Sequence, residues 1–250
     1  MNQDYAEVLL EHFPVVFREA EFVEASYRAL NEFGFTADNA IAAVCLCRDE
    51  ISQTLKSTVA QTWGEAFNLS SLGGMFFAGR TGLMAAMHHA PHGNGKERFV
   101  FYAFSHIAID ADGRLGVCKR KGIPESVACG ALNAFRKEMA EGKLSVAIDN
   151  GDIEQSLLKM RLMREIHYGT VPDLLQLTLL TRQVIQTDLE RELQAIVNMA
   201  TSDYAVLTGV QVHGPDGNYA APSSCYAVLD FIRQDLAFSG EPNTVGAAAG

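Results

Sequence analysis

Apolar residues in the first part of the chain recur at three- and four-residue intervals: Tyr5, Val8, Leu9 and Phe13, then Val16, Phe17, Phe22, Ala25 and Leu30. That spacing predicts two helices that each bury one face. Gly34 breaks the second. Residues 40–47 are then continuously apolar, the pattern of a strand covered on both faces in a parallel sheet, and the run stops abruptly at Arg48-Asp49-Glu50. Residues 51–67 read as a helix, 70–93 as a loop region of small residues, and 99–109 as the strongest strand, followed by the turn Asp110-Ala111-Asp112-Gly113 and a return strand over 115–118. Ser126 is placed to cap a helix that runs to about Met139 and is closed by Gly142. Two further helical patterns lie between Asp152 and Met199, with Pro172 suited to a first helical turn. Residues 204–213 predict a strand, 226–236 a mixed or helical segment, and the tail from 239 a frayed end.

These elements predict a single α/β domain over residues 1–250. Its core covers about 34–142, and a helical C-terminal elaboration follows over about 152–200. The sheet is expected to be mostly parallel and flanked by helices.

Composition narrows the function classes. Hydrophobic residues make up 48% of the 250 residues and charged residues 20%, which describes a chain that folds by itself rather than a disordered one. The formal charge is −10, and no basic run exceeds Lys119-Arg120-Lys121, so nucleic acid is not an expected partner. No uncharged run approaches the roughly 20 apolar residues that span a bilayer. Residues 1–5 lack the basic and apolar regions of a secretory signal, so the expected compartment is the cytoplasm. Five cysteines (45, 47, 118, 129 and 225) are odd in number and widely spaced, which favours thiols over a disulfide framework.

Candidate chemistry lies where core gives way to charge, because open α/β sheets place ligands outside the carboxyl ends of their strands. Cys47 stands at that boundary, whereas Cys45, on the same face two residues earlier, lies deeper and suits packing. Cys129 falls at the start of a predicted helix, where free N–H groups favour a thiolate. Such a thiolate can bind a metal or attack an electrophile. His106, inside an apolar strand, suits a hydrogen-bonded core residue or the third member of a Cys-His-Cys set that leaves a fourth metal position open. The three residues are separated by 59 and 23 positions, which matches no short zinc-finger spacing. Trp63, Phe67, Phe76 and Phe77 suit a core or a dimer interface, Cys118 and Cys225 packing, and Met160, Leu162, Met163 and Ile166 a helix-packing surface. His88, His89 and His92, on a Gly/Pro-rich loop, suit proton exchange with buffer or a plain polar loop.

The ordered blocks Cys47-Arg48-Asp49-Glu50, Ser71-Leu72-Gly73-Gly74, His89-Ala90-Pro91, Glu97-Arg98-Phe99-Val100-Phe101, His106-Ile107-Ala108-Ile109-Asp110 and Ala128-Cys129-Gly130-Ala131-Leu132 resemble the low-CO2-inducible protein B family. These are also described as theta-class carbonic anhydrases, and they are similar to the beta class in fold and site. The resemblance covers about residues 34–135. It implies a beta-carbonic-anhydrase-like fold, Zn²⁺ held by Cys47, His106 and Cys129, and reversible hydration of CO2 to bicarbonate by zinc-bound hydroxide, in a homodimer. The beta-class Cys-x-Asp-x-Arg motif is kept as Cys47-Arg48-Asp49, but Ile51 stands where the arginine would be. His-x-x-Cys is absent. The resemblance therefore implies Asp49 as the orienting carboxylate, with Arg48 as its partner, or a distant residue such as Arg80 or Arg98. Two other functions fit these residues: a silent member of the family that binds zinc or bicarbonate without turnover, and a Cys-His thiol hydrolase acting on an amide or thioester.

Overall fold

The computed structural model describes residues 3–91, 95–238 and 243–244. Its elements in chain order are α1 (Gln3–Leu10), β1 (Val15–Arg18), α2 (Glu19–Glu32), β2 (Ala40–Cys45), α3 (Gln53–Trp63), β3 (Ala66–Asn68), α4 (Gly79–Met87), β4 (Glu97–Ala108), β5 (Val117–Arg120) and β6 (Ile123–Val127). They continue with α5 (Gly130–Ala140), α6 (Ile153–Leu162), α7 (Leu174–Ile196), β7 (Ser202–Gly214), β8 (Gly217–Leu229), β9 (Ile232–Asp235) and β10 (Asn243–Thr244).

β2 shows why the centre is a sheet with two covered faces. Ile41, Ala43 and Cys45 enter one apolar cluster while Ala40, Ala42 and Val44 enter the other, as strand alternation requires. β4 alternates in the same way, with Phe99, Phe101 and Ala103 on one side and Val100, Tyr102 and Phe104 on the other. Helices α4, α5, α6 and α7 supply the first cluster through residues such as Leu83, Leu132, Leu158 and Ile185. Helices α2 and α3 supply the second through Phe22, Leu30, Leu55 and Trp63. The main sheet runs β10-β1-β8-β7-β4-β2-β3, with β9 on β8. Its middle, β3-β2-β4-β7, is parallel throughout. β8 then returns antiparallel along β7, and β1 along β8. The chain therefore has the expected α/β architecture, a sheet with a parallel middle covered by helices on both faces, with α6 and α7 where the helical elaboration was expected.

Several local expectations change. Val16 and Phe17 lie in strand β1, not in a helix, and the reason is that they enter opposite core clusters; only an extended chain sends adjacent side chains to both faces. The segment 51–67 divides into a short 3₁₀ turn, α3, which stops at Gly64, and β3, and the expected loop over 70–93 contains α4. The turn at 110–113 forms, with Asp110 Oδ1 accepting from the amides of Asp112 and Arg114. Only one bridge follows it, Ile109 to Leu115, and β5 pairs instead with β6. Ser126 belongs to β6, so the cap of α5 falls to Cys129. Residues 226–236 are the end of β8 and β9, joined by Asp230 and Phe231, both at positive φ in a two-residue hairpin turn. Most of the tail from 239 lies outside the described residues. Trp63 and Phe76 are buried in the chain's own core, and Leu162 with them. No helix among the described residues is long and apolar enough to cross a membrane.

Candidate metal centre

The carboxyl ends of the parallel strands converge on one point. Beyond β2 the chain stays extended to Cys47, which bridges to Ser71, and the amide of Arg48 donates to the Ser71 carbonyl. His106 comes from the distal part of β4, in register with Gln211 of β7. Cys129 is the N-cap residue of α5, so its sulfur lies at the helix N-terminus, where the nearby amides of Ala131 and Leu132 favour negative charge without outweighing burial and the neighbouring Cys47. Gly74 closes the back of the site at φ +77; a Cβ there would fall 2.6 Å from the Phe104 carbonyl oxygen and 3.4 Å from the Cys47 nitrogen. Only glycine fits this approach.

Cys47, His106 and Cys129 are all buried, and their ligand atoms lie within 4.8 Å of one another. The two sulfurs are 3.9 Å apart. The Cys129 thiol hydrogen-bonds the Cys47 sulfur and holds the Cys47 pKa well below the ordinary thiol value, while the neighbouring sulfur and burial push Cys129 up. Two facing thiols of this kind form a site that a cation can occupy in place of their protons. The His106 imidazole is held through Nδ1, 3.0 Å from His213 Nε2, while its buried Nε2 has no hydrogen-bond partner among the described residues. A buried ring nitrogen without a partner, beside two thiols, is the donor arrangement of a metal ligand. These residues fit Zn²⁺, which favours sulfur and nitrogen donors.

Cys45 contrasts with Cys47. It donates to the Gly74 carbonyl at 3.3 Å, and burial alone pushes its thiol up to about 12. It is a packing residue. Cys118 and Cys225 are partly buried and stand apart from the Cys-His-Cys cluster, and all five cysteines are free thiols.

Asp49 is positioned by its own turn, where its carboxylate accepts from the Ile51 amide. Its arginine partner is Arg120, at the end of β5. The two form a fork-on-fork pair, Nη1 to Oδ1 and Nη2 to Oδ2, both 2.8 Å. Arg120 also contacts Glu50 and donates to the Val127 carbonyl. Burial would raise the Asp49 carboxyl, but the guanidinium bonds outweigh it and hold the pKa at about 2. Arg48 does not meet Asp49: it turns to α6 and pairs with Glu154, Nε to Oε2 at 3.0 Å and Nη2 to Oε1 at 2.6 Å. Successive residues of an extended chain point to opposite sides, which separates the two side chains. Arg80 pairs with Glu192, and Arg98 donates to the Gly34 carbonyl. Arg120 was visible in the sequence only as the centre of a basic tripeptide. His88 and His89 are exposed at the end of α4, with His89 against the Phe67 ring; His92 lies outside the described residues.

The parallel sheet, with the Cys-His-Cys cluster and the arginine-held aspartate at its carboxyl end, has a beta-carbonic-anhydrase-like fold. Comparison with known proteins agrees. Residues 16–229 match the family described as limiting CO2-inducible proteins B/C beta carbonic anhydrases. The crystal structure of limiting CO2-inducible protein LCIB is 34% identical, with a TM-score of 0.79, over 95% of this chain and 99% of that one. PtLCIB4, a homolog of LCIB, shares the fold at 20% identity and a TM-score of 0.78, over 92% of this chain and 98% of its own. No curated protein matches. The chain belongs to the limiting CO2-inducible protein B/C family.

Proposed function

We propose that this protein is a zinc carbonic anhydrase that interconverts CO2 and bicarbonate. The observation that carries this reading is the buried Cys47, His106 and Cys129 donor set, with His106 Nε2 unpartnered, beside the bidentate Asp49–Arg120 pair. Cys47 and Cys129 as thiolates, with neutral His106, would hold the ion and balance its charge. When bound, zinc would supply a Lewis acid that acidifies a water, less strongly than in a three-histidine site because the two thiolates would leave less positive charge on the ion.

Asp49 supplies orientation. Arg120 keeps it ionised, so a carboxylate oxygen can accept the O–H of the attacking oxygen and leave that oxygen's lone pair directed at the carbon of CO2. Arg120 also occupies both carboxylate oxygens from one side, which holds Asp49 away from direct ligation. Cys45, two residues before Cys47, stays protonated in the core and takes no part.

Stopped-flow CO2 hydration, on protein of measured zinc content, tests the reading. About one zinc per chain with turnover that disappears on chelation is the expected result. Zinc-loaded protein without turnover would instead point to a silent binder of zinc or bicarbonate. Metal-free protein whose thiols are rapidly alkylated would favour the thiol hydrolase.

A further inference from the structure

Behind His106 runs a line of polar side chains that the proposed chemistry does not use. His106 Nδ1 lies 3.0 Å from His213 Nε2, His213 Nδ1 lies 2.8 Å from Asn218 Oδ1, and Asn218 Nδ2 donates to Thr54 Oγ1 at 2.8 Å. Thr54 Oγ1 donates onward to Glu19 Oε2 at 3.2 Å, with the Ile51 carbonyl oxygen as a second acceptor at 3.4 Å. Gln211 Nε2 donates to the same Glu19 oxygen at 2.6 Å. The links come from α2, α3, β4 and the β7–β8 hairpin, where His213 and Asn218 stand directly across from each other. Glu19, His106, Gln211 and His213 are buried, and Thr54, His213 and Asn218 border a cavity of about 420 Å³.

The direction of every bond follows from the far end. Burial raises the Glu19 pKa, but its Oε2 faces two donors, Gln211 Nε2 and Thr54 Oγ1, and so accepts; with the Ile51 carbonyl as the second acceptor, the single Thr54 hydrogen points there and Thr54 must accept from Asn218. That turns the Asn218 amide nitrogen to Thr54 and its oxygen to His213, which must then carry its proton on Nδ1. His213 Nε2 is left as an acceptor, and the hydrogen between the two rings belongs to His106 Nδ1. His106 Nε2 is left bare. Reversal of the His213 tautomer would place a donor against His106 Nδ1 and force the His106 proton onto Nε2, the atom beside the thiols.

We propose that His213, Asn218, Thr54 and Glu19 form a one-way hydrogen-bond chain that fixes the His106 tautomer and aims its Nε2 at the cation, with His213 as the positioning residue. The role of the cation rests on the metal reading above; the tautomer assignment does not. The chain lengthens by three links the familiar pairing of a metal-bound histidine with a carboxylate.

Long-range ¹H–¹⁵N NMR of histidine-labelled protein, metal-free and zinc-loaded, reads the tautomers. His213 should carry its proton on Nδ1 in both forms, and His106 on Nδ1 in the zinc form. A proton on His213 Nε2 would overturn the proposal. Zinc affinity measured by chelator competition provides the second arm. His213→Leu should weaken it about 10- to 100-fold, whereas His213→Gln, which offers an oxygen to His106 and an N–H to Asn218, should stay within about threefold of wild type. Equal affinity for His213→Leu and wild type would also overturn the positioning role. A wild type that binds neither Zn²⁺ nor Co²⁺, with the His213 proton still on Nδ1, would remove the metal reading and leave the tautomer chain standing.

Discussion

Two arginine–carboxylate pairs flank Cys47, and they have the same chemistry in different surroundings. Arg120 and Asp49 keep only 15% and 13% of their side chains exposed, whereas Arg48 and Glu154 keep 62% and 33%. Arg120 reaches across from the β5–β6 ribbon to a carboxylate inside the candidate site. Arg48 leans outward to α6, and Glu154 Oε2 also accepts from the Leu72 amide at 2.8 Å, which ties α6 to the loop before Gly74. Exposed pairs contribute about 0–1 kcal/mol because water competes for both partners. Hydrogen bonds to a charged group shielded from water contribute about 1.5–3 kcal/mol. Arg48 and Asp49 are adjacent in the sequence, yet only Asp49 belongs to the candidate chemistry.

The candidate ligand between the two pairs, Cys47, should show the largest effect. Cys47→Ser should lower zinc affinity by a factor of at least about 10–100, since a neutral hydroxyl is a poor ligand, while Cys45→Ser should keep full zinc and lose about 1–3 kcal/mol of stability from the buried hydroxyl. Metal analysis beside urea denaturation separates the two. Zinc retained by Cys47→Ser and lost by Cys45→Ser would exchange their roles.

Arg120→Ala comes next. Removal of the guanidinium leaves Asp49 with a half-buried, poorly paired charge, so CO2 hydration should fall on the order of tenfold to a hundredfold and stability by about 1.5–3 kcal/mol, with zinc retained. Asp49→Ala should lose about tenfold or more in turnover, also with zinc retained. If Asp49→Ala loses zinc in proportion to activity, Asp49 is a ligand or a structural cap and the comparison fails.

Arg120→Lys sharpens the contrast by keeping the charge and removing the fork. Its turnover should lie between wild type and Arg120→Ala, because an ammonium cannot bond both carboxylate oxygens in one plane. Arg48→Ala is expected to have the smallest effect, less than about 1 kcal/mol in stability, with turnover close to wild type. Turnover of Arg48→Ala as low as that of Arg120→Ala would erase the distinction between the pairs.

Much of this molecule is legible from local pattern. The continuous apolar run before Arg48 announces β2, the change from core to charge marks Cys47 and the start of a helix marks Cys129, whereas a histidine among Phe104, Ser105 and Ile107 suits a core residue as well as a ligand, and only the family resemblance selects His106. The first three signals arise from a few neighbouring residues, because strand burial and helix capping are local properties. Val16 and Phe17 resisted the same reading, since a four-residue strand is too short to show its period. Residues 226–236 resisted because a two-residue turn at Asp230 and Phe231 carries no glycine signal.

The sequence by itself determined the layered α/β class, the absence of a disulfide framework among widely spaced cysteines, and the three side chains with ligand chemistry. Tertiary structure alone decided which arginine serves Asp49 and which histidine supports His106. Arg120 meets Asp49 across 71 positions, and His213 meets His106 across 107. Neither distance carries a periodic or motif signal, because the partners are joined by strand register and a folded-back ribbon rather than by spacing along the chain.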